Sequence, residues 1–503
     1  MNDDERNGVT APVVGTSHGR VRGYRDRGVW AFLGIPYAAS PLGPDRMREP
    51  RPPKPWDRVF NGTNFGPTAP HGEPSERFGR LYPEVKITGE DFLNLNVWTP
   101  DPTGAGMPVM VWVHGGAFVL GSSANHEYRG AEFARDGVVF VSINYRLGAE
   151  GFLHTGDGTA NLGLLDQLAA LRWVQENIAN FGGDPGRVTL AGHSSGAMCV
   201  ATLLGMPAAE GLFQGLIPMA GACHHTMPPE LGLVVARRLA DRLGVKPSVE
   251  ALRGVPPDDA ARAASEVAAT LVEDPDPEVW GKLVLDMLPF EPTVDGSVLP
   301  RPPLEAIAAG QGRDVAVMVG CNSEEARLFF VPSGAAREMD GDAVDEIATA
   351  YGLDPHAVEV YRRERPDASP GDLASVVATD WYYRIPAIRL AEAREDAPGG
   401  TWMYSWDWRS DACEGELGAA HGVEWPFVFD CLDVEGARPR VGDHPPQEVA
   451  DTTHALWVRF VTDGSPGWAR YDSRARTTGV IAEQVTPVDD PSSAERELWT
   501  GVR

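Results

Sequence analysis

A chain of 503 residues with 44 basic and 71 acidic side chains carries a formal charge of −27, an excess that repels phosphate backbones and anionic lipid headgroups. Nucleic acid and membrane surfaces are thereby disfavoured as partners, and no uninterrupted apolar run of about 18 residues offers a membrane span. Apolar residues at 43% with 14 Trp supply a large core, while 56 Gly and 43 Pro predict a globular protein rich in turns.

The opening stretch MNDDERNGVT is polar and acidic, without the basic and apolar regions of an export signal, and residues 1–10 are expected to be disordered. Cys199, Cys223, Cys321, Cys413 and Cys431 are scattered without metal-ligand spacing, which predicts reduced thiols and a cytoplasmic location. No repeat, low-complexity tract or linker divides the chain, so one elaborated domain over 1–503 is expected.

From Met107 onward, short β-rich runs alternate with helical patterns: PVMVWVHGG, VVFVSINYR, LLDQLAALRWVQENIANF and RVTLAGHSSG. Strands joined by helical crossovers predict an α/β fold with a mostly parallel sheet covered on both faces. In the helix, Leu164, Leu168, Leu171, Val174 and Ile178 recur at steps of three and four, so one face should pack on the sheet, with GGDP as the stop. VAVMVG (315–320) and TWMYSWDW (401–408) read as later strands, and the acidic, Ala-rich segments 255–275 and 340–365 as surface helices.

Directly after the strand Val188 to Ala191 stands Gly192-His193-Ser194-Ser195-Gly196, followed by a run able to form a helix. Strand, G-x-S-x-G, helix is the setting of a nucleophile elbow, a turn so tight that the residues two before and two after the serine must lack side chains. The alternative is a Ser/Gly loop that merely caps a helix. An attacked carbonyl needs donors for its oxyanion, and the run HGGAF (114–118) follows a buried strand where backbone N–H groups serve that purpose, joined by the N–H of Ser195.

A serine hydroxyl is inert without a base, and the base needs a carboxylate to hold its tautomer. His193 should point away from the serine Oγ, and spacing alone does not choose among His224, His225, His356, His421, His444 and His454. For the acid, Glu324 and Glu325 both follow the strand 315–320, and spacing leaves that choice open too.

Over nearly its whole length the chain resembles the type-B carboxylesterase family, which includes bacterial para-nitrobenzyl esterases and the cholinesterases. The resemblance rests on FLGIPYAASPLG, EDFLNLNVWTP (90–100), HGGAF, NYRLGAEGFL (144–153), NLGLLDQLAALRWVQENIANFGGDP (161–185), AGHSSGA, GCNSEEARLFF (320–330), GAAHGVEWPFVF (418–429) and WVRFVTDGSP (457–466). It implies an α/β-hydrolase fold with large insertions. It places a nucleophile on Ser194, an acid on Glu325 and a base on His421, with oxyanion donors at the N–H groups of Gly116, Ala117 and Ser195. The implied reaction is hydrolysis of a small uncharged ester in a deep gorge lined by aromatic side chains, with neither metal nor organic cofactor. Phe118, Trp381, Tyr382 and Tyr383 are candidates for that wall and equally for ordinary core.

The chain departs from the family pattern at several positions. Phe92 stands where a cysteine is common and GPTAPH (66–71) has none to pair with it, so the first family disulfide is missing. His193 and Ser195 stand where many members have Glu and Ala, Ala326 replaces a glycine, and Ala220 replaces a serine. The same residues also suit a hydrolase tuned to carbamates, aryl amides or one natural-product ester, and members of this fold that lost the serine or histidine are binding proteins. The oligomeric state is not legible in the sequence.

Overall fold

The computed structural model describes residues 11–354 and 356–503, so the expectation of disorder at 1–10 lies outside the described residues. An 11-stranded sheet organises the chain. In sequence order its strands are β1 (Tyr24–Asp26), β2 (Val29–Pro36), β3 (Asn94–Thr99), β4 (Met107–Val113), β5 (Val139–Ile143), β6 (Gly183–His193), β7 (Gly215–Met219), β8 (Ala316–Asn322), β9 (Thr401–Trp406), β10 (Thr477–Ile481) and β11 (Val485–Asp489). Their spatial order is β11-β10-β9-β8-β7-β6-β4-β5-β3-β2-β1. Seven neighbours from β10 to β5 run parallel, and antiparallel pairs close both edges. A separate three-stranded sheet joins Val13–Thr16, Gly19–Arg22 and Phe60–Asn61.

Parallel strands need cover on both faces, and the alternation along β4 shows it. Val109, Val111 and Val113 enter one apolar cluster, while Met110 and Trp112 enter the other. Helices Leu162–Asn177 and Ser195–Leu204 contribute to the first cluster, and helix Gln447–Asp463, through Leu456, Trp457 and Phe460, to the second.

Helix Leu162–Asn177 buries Leu164, Leu168, Leu171 and Val174, and Ile178 is buried in the turn that follows, but the helix is not covered on one face only. Gly163, Asp166, Gln167 and Trp173 are buried as well. Asp166 is fully enclosed because Arg146 meets it at 2.7 Å, a pairing that a pattern of apolar spacing does not register. The GGDP stop falls after one further turn, Ile178–Phe181, where Gly182 takes φ 86°. The segments 255–275 and 340–365 hold helices Pro257–Glu273, Gly341–Ala350 and Ala357–Glu364, each with one buried face. Among the described residues no helix is long and apolar enough to cross a membrane.

Candidate active site

In open parallel sheets, ligands sit at the carboxyl ends of the strands, and the site residues cluster there. Strand β6 ends at His193 and helix Ser195–Leu204 starts at once, which forces Ser194 to φ 57°, ψ −127°. That sparsely populated conformation costs about 1–3 kcal/mol and persists only where the surroundings impose it. Here the N–H of Ser194 donates to the Met219 carbonyl and its own carbonyl accepts from Met198, both at 2.9 Å. A Cβ on Gly192 would lie 2.7 Å from the Gly196 backbone, and one on Gly196 would lie 2.2 Å from the Val113 oxygen, so β4 and the elbow touch backbone to backbone.

The loop after β4 packs on the same elbow. A Cβ on Gly115 would meet the His193 oxygen at 2.7 Å. Ala117 and Phe118 take φ 52° and 64°, Gly116 takes φ 121°, and the Gly116 carbonyl accepts from Val119 and Leu120. The N–H groups of Gly116 and Ala117 have no acceptor among the described residues, and that of Ser195 is in the first turn of its helix.

Of the two glutamates after β8, Glu325 is fully buried and its Oε2 lies 2.5 Å from His421 Nδ1. The N–H of His421 donates to the Glu325 carbonyl at 3.1 Å, and Tyr82 donates its hydroxyl to the carbonyl of His421. Glu324 turns the other way, pairing with Arg327 and Arg409 and accepting from the N–H of Ala419. The remaining histidines are elsewhere. His454 donates from Nδ1 to the Val428 carbonyl and meets Asp136, His225 donates to the Tyr382 carbonyl, burial lowers the pKa of His224 to about 3, and His356 and His444 are exposed.

The half-buried hydroxyl of Ser194 makes no hydrogen bond to the described residues, while imidazole and carboxylate are joined. Burial pushes the His421 imidazole down to about 4, against an upward pull from Glu424. The His193 ring lies 4.5 Å from that of His421 and its Nε2 lies 3.0 Å from Glu424 Oε1.

Among the candidate wall residues, Tyr383 stands beside His421, ring centroids 5.1 Å apart. Phe118 is fully buried against Phe152, Trp381 stacks on Tyr351, and the Tyr382 hydroxyl is committed to the Leu285 carbonyl. Sequence reasoning missed two neighbours. Phe329 is 49% exposed with its ring 6.0 Å from that of His421. Glu424 is the other, and its place three residues after His421 was the available signal.

Two of the departures from the family pattern find local explanations. Ala326 has φ −71°, where no glycine is required, and Phe92 is fully buried as a core residue. All five cysteines are unpaired. One group with metal-ligand character occurs among the described residues, His225, Asp286 and Glu291, with ligand atoms within 4.8 Å of one another. Arg503 already brings a positive charge 3.7 Å from Asp286, and burial raises Glu291 to about 8, so it holds a proton at neutral pH.

The sheet, the elbow at the end of β6 and the histidine and carboxylate delivered by later loops define an α/β-hydrolase. The sequence profile of the Carboxylesterase family matches residues 10–490. A para-nitrobenzyl esterase of Bacillus subtilis is 35% identical, over 97% of this chain and 98% of that protein. A phenmedipham hydrolase of Pseudarthrobacter oxydans is also 35% identical, over 91% of each chain. A crystal structure of a Geobacillus stearothermophilus carboxylesterase superposes with a TM-score of 0.84 at 34% identity, covering 97% of this chain and 99% of that one. The chain belongs to the carboxylesterase family, and it is an ester hydrolase.

Proposed function

We propose that this carboxylesterase works through a covalent acyl-enzyme on Ser194, with His421 as base and Glu325 as the acid that orients it. The observation that carries the reading is the backbone of Ser194, held at positive φ at the end of β6, next in sequence to His193, whose ring lies 4.5 Å from the His421 ring that Glu325 grips by Nδ1. With Nδ1 engaged by the carboxylate, Nε2 is the nitrogen free to take a proton.

As the ester enters, the hydroxyl–imidazole bond closes, a tightening common on going from the free enzyme to the substrate complex. Ser194 Oγ attacks the carbonyl carbon while its proton passes to His421 Nε2, and the oxyanion rests on the N–H groups of Gly116, Ala117 and Ser195. The proton then moves to the leaving alkoxide, the C–O bond breaks and alcohol departs. Water, deprotonated by the same imidazole, attacks the acyl-enzyme, and collapse of the second tetrahedral adduct frees the acid and restores the Ser194 hydroxyl.

We read the preferred substrate as a small uncharged ester, because the aromatic rings of Tyr383 and Phe329 stand beside His421. We read the chain as one elaborated domain built on the one large sheet. Its five free thiols favour a reducing, cytoplasmic setting. The test is a fluorophosphonate probe together with a panel of nitrophenyl esters of rising acyl length. Labelling confined to Ser194 and a pre-steady-state burst of nitrophenol support the acyl-enzyme; hydrolysis without labelling refutes it.

A further inference from the structure

Behind the His421 ring lies a second imidazole–carboxylate pair that the proposed cycle does not use. His193 and Glu424, each about 1% exposed, approach to 3.0 Å between Nε2 and Oε1. Asn322 ties this pair to the first. Its backbone N–H donates to Glu325 Oε1 at 2.6 Å, and its side-chain amide donates to Glu424 Oε2 at 2.5 Å and to the Ala420 carbonyl at 2.8 Å. Trp425 closes the pocket with its ring 4.8 Å from that of His193.

Enclosing one carboxylate is unfavourable unless it is compensated, and enclosing two beside each other is more so. Burial works to raise both carboxyls, yet the outcomes differ. His193, His421 and Asn322 together hold Glu424 below the usual carboxylate range, whereas Glu325 is pushed up well above it, with Glu424 adding to the effect of burial. Asn322 thus holds a second carboxyl group in the same pocket as Glu325, and Glu424 is also the group that favours a proton on His421.

We propose that Glu424, held by His193 and Asn322, is a positioning residue of the esterase reaction: a second carboxylate that stabilises the positive charge His421 acquires when it takes the Ser194 proton. The proposal rests on the reading of His421 as base. In that step the proton leaves Ser194 Oγ for His421 Nε2 and is later handed to the leaving alkoxide, so Glu424 gains and loses nothing. Its contribution is a fixed charge in a low-dielectric pocket, where it acts more strongly than in water. His193 acts only through Glu424, which it holds at 3.0 Å.

Other titratable groups facing the pocket do not compete. Burial pushes Tyr82, Tyr383, Tyr404 and Cys321 up, so all four stay neutral around neutral pH. Arg440 is taken up by Glu127 and stacks on Tyr82 and Trp425.

The experiment is the pH profile of kcat and kcat/KM on a neutral nitrophenyl ester for the wild type, Glu424→Gln, His193→Phe and the double variant, with fluorophosphonate labelling in parallel. In Glu424→Gln the acid limb moves down by about one pH unit and plateau kcat falls about tenfold, one interaction energy with the imidazolium read twice. KM stays put, because the imidazole is neutral in the Michaelis complex. His193→Phe moves both readouts the same way, and the double variant matches Glu424→Gln, since neither change adds to the other when one acts through the other. Loss of rate with an unmoved limb would make Glu424 purely structural and overturn the proposal; additive effects would overturn the part given to His193. If Glu424→Gln fails to fold, His193→Phe alone carries the same shift or its absence. Failure of the underlying esterase reading looks different: the wild type itself would neither label nor hydrolyse.

Discussion

His421 Nδ1 lies 2.5 Å from Glu325 Oε2 across 96 residues of sequence, while Glu324, the adjacent residue, is held in the opposite direction by Arg327 and Arg409. Two neighbouring carboxylates thus have separate tasks. Glu325→Gln should slow kcat by about four orders of magnitude, the scale seen when a triad acid becomes an amide and the imidazole takes the wrong tautomer. Glu324→Gln should keep kcat within about tenfold of wild type, its effect appearing instead as a lower unfolding midpoint because the 418–419 loop loses an anchor. The reverse ranking in steady-state assays would move the acid by one position.

Ser194→Ala removes the atom that forms the acyl bond but none that holds the elbow, whose hydrogen bonds are backbone only. Turnover should drop about a million-fold with far-UV and near-UV circular dichroism unchanged. A variant that keeps even a tenth of the activity contradicts the assignment.

The acid limb should lie low. A general base works only while neutral, so activity is lost as pH falls through its pKa. Burial pushes His421 down to about 4, so kcat/KM should hold its plateau below the ordinary imidazole value near 6.5 and fall only on approach to about 4. The same depression has a stability cost of definite sign. Between about 6.5 and 4 the unfolded chain binds protons at His421, and likewise at His114 and His225, which are also pushed down to about 4 by burial. The folded chain binds fewer, so stability declines as pH drops across that window. Activity read by brief pH jumps, with circular dichroism as the fold control, separates the two effects. A limb centred at or above 6.5 in the folded protein would show that burial does not set this pKa.

What the sequence conveys well is what local geometry dictates. Gly192 and Gly196 bracket Ser194 because backbone from β4 occupies the space where their Cβ atoms would be, and the apolar steps from Leu164 to Ile178 mark residues that are all fully buried. Choices settled by distant partners are not legible. Nothing in S-E-E-A says which glutamate turns inward; Arg327, Arg409 and Asn322 decide it. Asp166 reads as a solvent-facing charge until Arg146 is seen against it. Trp381, Tyr382 and Tyr383 follow one another on a π-turn, Asp380–Arg384, whose wider winding sends Tyr383 to His421 and the Tyr382 ring to His225.

Gly196→Ala sets two effects of opposite sign against each other. In a helix interior alanine is favoured over glycine by about 1 kcal/mol. Against that gain, the new Cβ would stand 2.2 Å from the Val113 oxygen and 2.6 Å from the His114 oxygen. Both obstacles are backbone, and Val113 is in register with Gly192 on β6, so relief requires prising β4 from the strand that carries the elbow. Steric cost should win by several kcal/mol, enough to deplete soluble protein or lower the unfolding midpoint by more than about 10 °C. Gly15→Ala, with nothing within 4 Å of its Cβ, is the matched control and should leave the midpoint unchanged. A Gly196→Ala protein that melts with the wild type would mean that β4 and the elbow do not meet as closely as this geometry requires.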